Sequence, residues 1–157
     1  MTNNLIIRPV TDDDTETLWL MLYYAAHMDE DDNRTVADAK TDSFLRRYVE
    51  HWGQKDDFGL IAEVNQQAVG AVWVRQFEED EYPELAIAVL PDMIGRGIGT
   101  QLMTHMIAQS KGKLSGILLS VRANNPAYNL YRRLGFKTER EMMNRVGTLS
   151  YEMILRL

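Results

Sequence analysis

Apolar positions along the chain recur at two periods, near two and near 3.6 residues, and the alternation of those periods predicts a series of elements. Leu5-Ile6-Ile7-Arg8 is a short β-rich run that Pro9 stops. Thr11 followed by Asp14 forms a capping-box pattern, and Asp12, Asp13 and Asp14 suit the positive end of a helix. The helix they open carries Leu18, Leu22, Ala25 and Ala26 at helical spacing and is expected to run to about Met28. Asp29-Glu30-Asp31-Asp32-Asn33 reads as a solvated loop. A second helix is expected to carry Phe44, Leu45, Tyr48, Val49 and Trp52 on one stripe and to end near Gly53.

Strand periodicity takes over at Phe58. The runs Phe58 to Val64 and Ala68 to Phe77, separated by Asn65-Gln66-Gln67, read as a hairpin. After the acidic turn Glu78-Glu79-Asp80-Glu81, the run Leu85 to Leu90 is apolar on both faces and reads as a central strand ended by Pro91-Asp92. Gly95-Arg96-Gly97-Ile98-Gly99-Thr100 then opens a helix with Ile98, Leu102 and Met106 four residues apart. Ile117 to Val121 is another buried strand. The next helix is bounded by Asn125 as cap, Pro126 at the first helical position and Gly135 past the end. Phe136 onward and Thr148 to Leu157 are the last two strands, turning at Val146-Gly147. The order β-α-α-β-β-β-α-β-α-β-β describes an α/β chain with a mixed sheet rather than a doubly wound one.

Composition narrows the class. The 157 residues are 45% hydrophobic and 25% charged with no Cys. One domain over 1–157 is expected, long enough to bury roughly 68–70% of the unfolded surface without a metal or disulfide staple. Disordered, collagen-like and disulfide-scaffold chains are excluded, and so are Cys-ligated zinc, thiol nucleophiles and thiol redox switching. The start lacks the basic and apolar regions of a secretory signal, and no apolar run approaches the ~18 residues needed to cross a bilayer, so a cytoplasmic protein with no membrane partner is expected. The net charge of −6 argues against a general nucleic-acid binder, but it conceals a split. Residues 1–92 hold 20 acidic and 7 basic side chains, a balance of −13; residues 93–157 hold 3 and 10, a balance of +7.

Three features could carry chemistry. Gly95, Gly97 and Gly99 permit a tight turn into a helix start, whose N–H groups and dipole favour an anion; the same glycines also serve a turn that holds no ligand. The turn is neither a Walker A loop nor a dinucleotide fingerprint. On the helix from Asn125 to Leu134, Ala127, Tyr131 and Leu134 share a face, with Asn124 at its mouth. Tyr131 is either core filler or a proton donor to a leaving group, and Asn124 either a turn residue or a ligand contact. Glu84 at the start of the central strand and Glu63 in the second strand are either exposed charges or bases for an ammonium group. Of the aromatics Trp19, Tyr23, Tyr24, Trp52, Trp73 and Tyr82, most are expected in the core. His27, His51 and His105 have no metal-ligand spacing, and no Gly-x-Ser-x-Gly elbow occurs.

Taken together, these segments resemble a known family. Val89-Leu-Pro-Asp-Met-Ile-Gly-Arg-Gly-Ile-Gly-Thr-Gln-Leu-Met is similar to the acyl-CoA signature Q/R-x-x-G-x-G/A of the GNAT superfamily of N-acetyltransferases, with Gly97 and Gly99 on its glycines. Asn124-Asn-Pro-Ala-Tyr-Asn-Leu-Tyr131-Arg-Arg-Leu-Gly-Phe136 resembles the family's N-x-x-A-x-x-L-Y-x-x-x-G-F segment. Two motifs in order are far more specific than either alone. The chain departs from the pattern at Ile94, which stands where the signature has Gln or Arg and offers no donor; Arg96 lies two residues on. The resemblance implies a mostly antiparallel sheet of about seven strands flanked by four helices. It implies acetyl-CoA as acyl donor, with no metal, its pyrophosphate on main-chain N–H groups around Gly95, Arg96, Gly97, Gly99 and Thr100. Main-chain groups of Ile87, Val89 and Leu90 would pair with the pantetheine arm, Asn124 would hydrogen-bond it, and Tyr131 would protonate the departing thiolate. An amine, deprotonated by a carboxylate, with Glu84 preferred, or through water, would attack the thioester directly, with no acyl-enzyme, and a backbone N–H of the central strand would steady the oxyanion.

Three functions remain distinct at this level. One is N-acetyl transfer to a primary amine of a small molecule, peptide or protein; another is a non-catalytic CoA- or acyl-CoA-binding regulator; the third is a module binding a different phosphate ligand. The −13 half favours a cationic acceptor, while the +7 half carries both motifs. A homodimer is compatible with the sequence, and no feature of it decides the matter.

Overall fold

The computed structural model describes residues 4–144 and 147–157. Strand β1 (Leu5–Pro9) pairs antiparallel with β2 (Phe58–Val64), from Leu5↔Val64 to Pro9↔Leu60. Pro9 is tolerated because β1 is a sheet edge and the proline is its last residue. β2 turns through Asn65 (φ 52°) and Gln66 (φ 68°) into β3 (Gln67–Arg75), the left-handed pair that a two-residue hairpin uses. β4 (Glu84–Val89), β5 (Gly116–Arg122), β6 (Lys137–Met143) and β7 (Leu149–Arg156) complete seven strands in the order β1-β2-β3-β4-β5-β7-β6. The β4–β5 ladder is parallel, and the β5–β7 and β6–β7 ladders are antiparallel. The mixed, mostly antiparallel sheet is the one expected.

Among the described residues, four α-helices accompany it. α1 (Thr15–Ala25) follows a 3₁₀ turn, Asp12–Asp14, where the predicted capping box forms: Thr11 N–H donates to Asp14 Oδ2 at 2.7 Å, and Asp13 N–H to Thr11 Oγ1 at 3.3 Å. α1 stops before Met28 because His27 takes a left-handed conformation (φ 59°). The second helix differs from the expectation. α2 is Val36–Thr41, capped by Thr35 and Asp38, and only a 3₁₀ turn, Leu45–Tyr48, follows. Asp42 breaks the run by accepting from Phe44 N–H and Leu45 N–H with one carboxylate oxygen, each at 2.9 Å. Further on, the Arg75 guanidinium takes the carbonyls of Arg47 (2.8 Å) and Glu50 (2.6 Å), which a continued helix would have used itself. Tyr48 and Val49 still reach the core, whereas Phe44 is exposed. α3 is Ile98–Ser110 and α4 is Ala127–Arg133. The predicted turn at Val146-Gly147 falls partly outside the described residues.

Two compact units make up the chain, the boundary passing through β4 between Leu85 and Ala86. The first takes the chain up to Arg75 with Ala86–Met106. Its core includes Leu18, Met21, Leu60, Trp73, Ile98 and Leu102, each at most 1% exposed. The second takes Gln76–Leu85 and Ile107–Leu157, with Ile117, Leu119, Phe136 and Met153 in its core. Among the described residues no helix is long and apolar enough to cross a membrane.

Candidate functional site

In the first unit the site is built on the end of β4. Leu90 N–H donates to Val69 O at 2.9 Å, and a 3₁₀ turn, Pro91–Met93, carries the chain off the sheet. Gly95 (φ 87°) and Gly97 (φ 80°) then reverse it, both in the left-handed region that a side chain disfavours. Nothing lies within 4 Å of where their Cβ atoms would be, so the glycines serve the backbone path and face open space. Ile98, 1% exposed, anchors α3, and the bond from Gln101 N–H to Gly97 O (3.0 Å) opens the helical ladder. The N–H groups of Ile98, Gly99 and Thr100 precede that bond and have no acceptor within the helix, which is the setting for an anion. Arg96 is exposed beside them. Ile94 is 68% exposed, so the position where the signature has Gln or Arg presents only hydrocarbon. Ile87, Val89 and Leu90 lead up to the turn, half-buried.

The second unit holds the titratable candidates. Glu84 is half-buried and opens β4 opposite Leu118 of β5, whose N–H donates to Pro83 O at 2.9 Å. Asn124 is exposed in the turn where Asn125 N–H donates to Arg122 O. Asn125 caps α4 as predicted, its Oδ1 accepting from Ala127 N–H at 2.9 Å, and Gly135 past the helix end is left-handed (φ 105°). Tyr131 faces inward from α4, 7% exposed, its ring centroid 6.1 Å from that of Phe136. Burial pushes its phenol up to about 12, so the hydroxyl keeps its proton throughout the neutral range.

Residues 55–138 match the family model described as an acetyltransferase (GNAT) domain. The chain belongs to the GNAT acetyltransferases. It is 34% identical over 146 residues to an uncharacterized N-acetyltransferase of Methanocaldococcus jannaschii, covering 87% of this chain and 62% of that relative, which is therefore the longer protein. The fold is that of a ribosomal-protein-alanine N-acetyltransferase from Brucella melitensis, with a TM-score of 0.74, 22% identity, and 97% and 99% of the two chains covered. A spermidine N-acetyltransferase from Vibrio cholerae, in complex with CoA and spermine, gives a TM-score of 0.71 at 19% identity over 98% and 96% of the chains.

Other charged groups of this GNAT chain fall into two kinds. Glu63 is engaged structurally: Arg8 donates to it at 2.9 Å and, through both terminal nitrogens, to Asp14 at 2.8 Å each. That bidentate pair holds the Asp14 carboxyl down at about 2. The second kind is the exposed run of Asp29, Asp31 and Asp32 beside two half-buried tyrosines. Tyr23 and Tyr24 meet edge to face, centroids 5.0 Å apart, and the Tyr23 phenol is held above its ordinary value by desolvation and then by the charges of Asp29, Asp32 and Asp31. Among the described residues no cluster of three or more His, Cys, Asp or Glu could hold a metal. Asp57 and Arg75, which no motif or spacing joins, form a pair at 2.8 Å with both side chains under 5% exposed. The available signal was one Arg closing the apolar run Val72-Trp73-Val74.

Proposed function

We propose that this chain transfers an acetyl group from acetyl-CoA to a primary amine, as a single N-acetyltransferase domain over 1–157. The observation that carries the reading is the left-handed, open Gly95–Gly97 turn running straight into the N-terminus of α3. That turn fits a pyrophosphate: its donors are main-chain N–H groups, which need no side chain at Ile94. The groups that would hold CoA are the N–H groups of Gly95, Arg96, Gly97, Gly99 and Thr100, the main chain of Ile87, Val89 and Leu90, and the Asn124 side chain. Bound there, acetyl-CoA would supply an acyl group activated as a thioester.

The residues then divide the proton work. Glu84 is the base in this reading, its carboxylate accepting the proton of the acceptor ammonium so that the nitrogen lone pair is free. Tyr131 is the acid: a buried phenol titrating near 12 is protonated at every working pH and gives its proton at Oη to the leaving sulfur. A main-chain N–H of β4 aimed at the developing oxyanion lowers the barrier without further charge. On the acceptor side we infer a cationic amine, drawn by the carboxylates of Asp29, Asp31 and Asp32, which already perturb Tyr23. The spermidine and the ribosomal-protein alanine for which the structural neighbours are named set the test panel.

The deciding experiment has two readouts. Millimolar acetyl-CoA is expected to raise the melting temperature, and CoA release is expected with at least one of spermidine, an alanine-initiated hexapeptide and free amino acids. Tyr131→Phe is expected to lower kcat about 100-fold while the Kd for CoA stays within twofold. A thermal shift with no CoA release from any amine would leave a CoA-binding protein without this chemistry; no thermal shift would remove the donor as well.

A further inference from the structure

Between the 3₁₀ turn Leu45–Tyr48 and β2, the first unit contains a loop organised by one buried charge pair. Arg75, the last residue of β3, donates through Nε to Asp57 Oδ1 at 3.0 Å and through Nη2 to Asp57 Oδ2 at 2.8 Å. Its Nη1 donates to the carbonyls of Arg47 and Glu50, and the Trp52 ring lies 5.5 Å from the guanidinium carbon. Asp57 Oδ2 also accepts from Gly53 N–H (3.0 Å) and Gln54 N–H (2.9 Å). One ion pair therefore fixes the chain from 47 to 57.

A buried ion pair is an inefficient way to stabilise a fold, because apolar residues of similar volume do as well or better. What the pair secures is a single loop shape. His51 (φ 58°) and Asp56 (φ 73°) are held left-handed, an arrangement that persists in non-glycine residues only where the surroundings over-determine it, and such residues gather at functional sites. The exposed residues His51, Gln54, Lys55 and Asp56 lie on this loop.

The loop also lies at a meaningful end of the sheet. Leu90 N–H bonds to Val69 O, and the carbonyl oxygen of Ala88 lies 3.0 Å from where a Cβ on Gly70 would stand, so the end of β4 lies beside the start of β3 and the two strands run in opposite directions. Within the first unit, β4 from Val89 back to Ala86 accordingly runs toward the end of β3, where Arg75 stands. With the CoA phosphates held on the turn after Leu90 and the pantetheine arm on the main chain of Ile87 and Val89, as proposed above, the thioester would lie on the Arg75 side of that turn. We propose that Arg75 and Asp57 are positioning residues for the acceptor. They hold loop 47–57, and His51 and Trp52 on it, as the wall that sets the incoming amine and selects its shape. The inference rests on the N-acetyltransferase reading above.

The test uses the full chain with acetyl-CoA as donor and spermidine and an alanine-initiated hexapeptide as acceptors. Arg75→Lys and Asp57→Asn are expected to raise the amine KM at least tenfold, with the Kd for CoA and the KM for acetyl-CoA unchanged within twofold. His51→Asn leaves the ion pair intact and suits a left-handed backbone; it is expected to change the spermidine-to-peptide ratio of kcat/KM at least threefold with the melting temperature unchanged. Folded Arg75→Lys protein in which both KM values rise together, or neither moves, overturns the proposal. If neither hub variant folds, His51→Asn decides, and an unchanged ratio overturns it. Wild-type protein that binds CoA but acetylates neither amine nor any free amino acid removes the transferase reading and this inference with it. Turnover with an amine KM indifferent to the variants removes the inference alone.

Discussion

Single residues here owe their chemistry to what surrounds them. Asp14 would be an ordinary carboxylate at a helix start, yet the two-pronged contact from Arg8 holds it at about 2, well below its ordinary 3.8. A depressed folded-state pKa contributes stability that is present above about pH 4 and is lost as pH falls through 2. Asp14→Asn is therefore expected to destabilise by roughly 2 kcal/mol at pH 7. Urea midpoints measured from pH 7 to pH 2 should show that difference shrinking below pH 4. Arg8 and Asp14 are both plain in the sequence, and so is the capping box; their pairing is not, because five residues and a strand end lie between them. Tyr131 is similar. Its place in the helix pattern is legible, but a phenol titrating near 12 needs the burial that only packing supplies.

Elements divide by whether local signals are sufficient. The hairpin β2–β3, the buried β4 and the capped α4 follow from period and turn chemistry, and each appears where the pattern puts it. The helix expected through Trp52 does not, although its apolar stripe is real. Asp42 offers the backbone a local alternative, and Arg75, some twenty-five residues away in sequence, takes two of its carbonyls. The glycine turn shows the opposite balance, since its conformation is dictated by residue type. Gly97→Ala meets no neighbouring atom, so its cost is backbone strain, about 1–2 kcal/mol. It is expected to weaken CoA binding several-fold by isothermal titration. Gly112→Ala, also left-handed (φ 83°) with open space around it, is expected to cost similar stability and leave CoA binding unchanged. Equal effects of both variants on CoA would detach the Gly95–Gly97 turn from the donor.

Across the whole chain, charge is distributed unevenly. The acidic residues 1–92 include the carboxylates around Tyr23, and the basic remainder carries both sequence motifs. If acidity recruits the acceptor, raising salt from about 0.05 to about 0.5 M should screen it, since the Debye length falls from over ~10 Å to a few ångström. The KM for spermidine is then expected to rise several-fold while the KM for a neutral-side-chain, alanine-initiated peptide moves less. Steady-state kinetics at the two salt levels measure this, and equal sensitivity of the two acceptors would leave the acidic half without that role.

By itself the sequence determined the strand and helix order, the glycine turn, the capped helix bearing Tyr131 and the family to which the chain belongs. Each of these depends on residue type and near-neighbour spacing, which the chain carries locally. The tertiary structure alone decided where the predicted second helix stops, which carboxylates are engaged and that Arg75 and Asp57 form a buried pair. Those outcomes depend on contacts between residues far apart in sequence, where a side chain competes with the backbone for the same hydrogen bonds, and no local pattern records which partner wins.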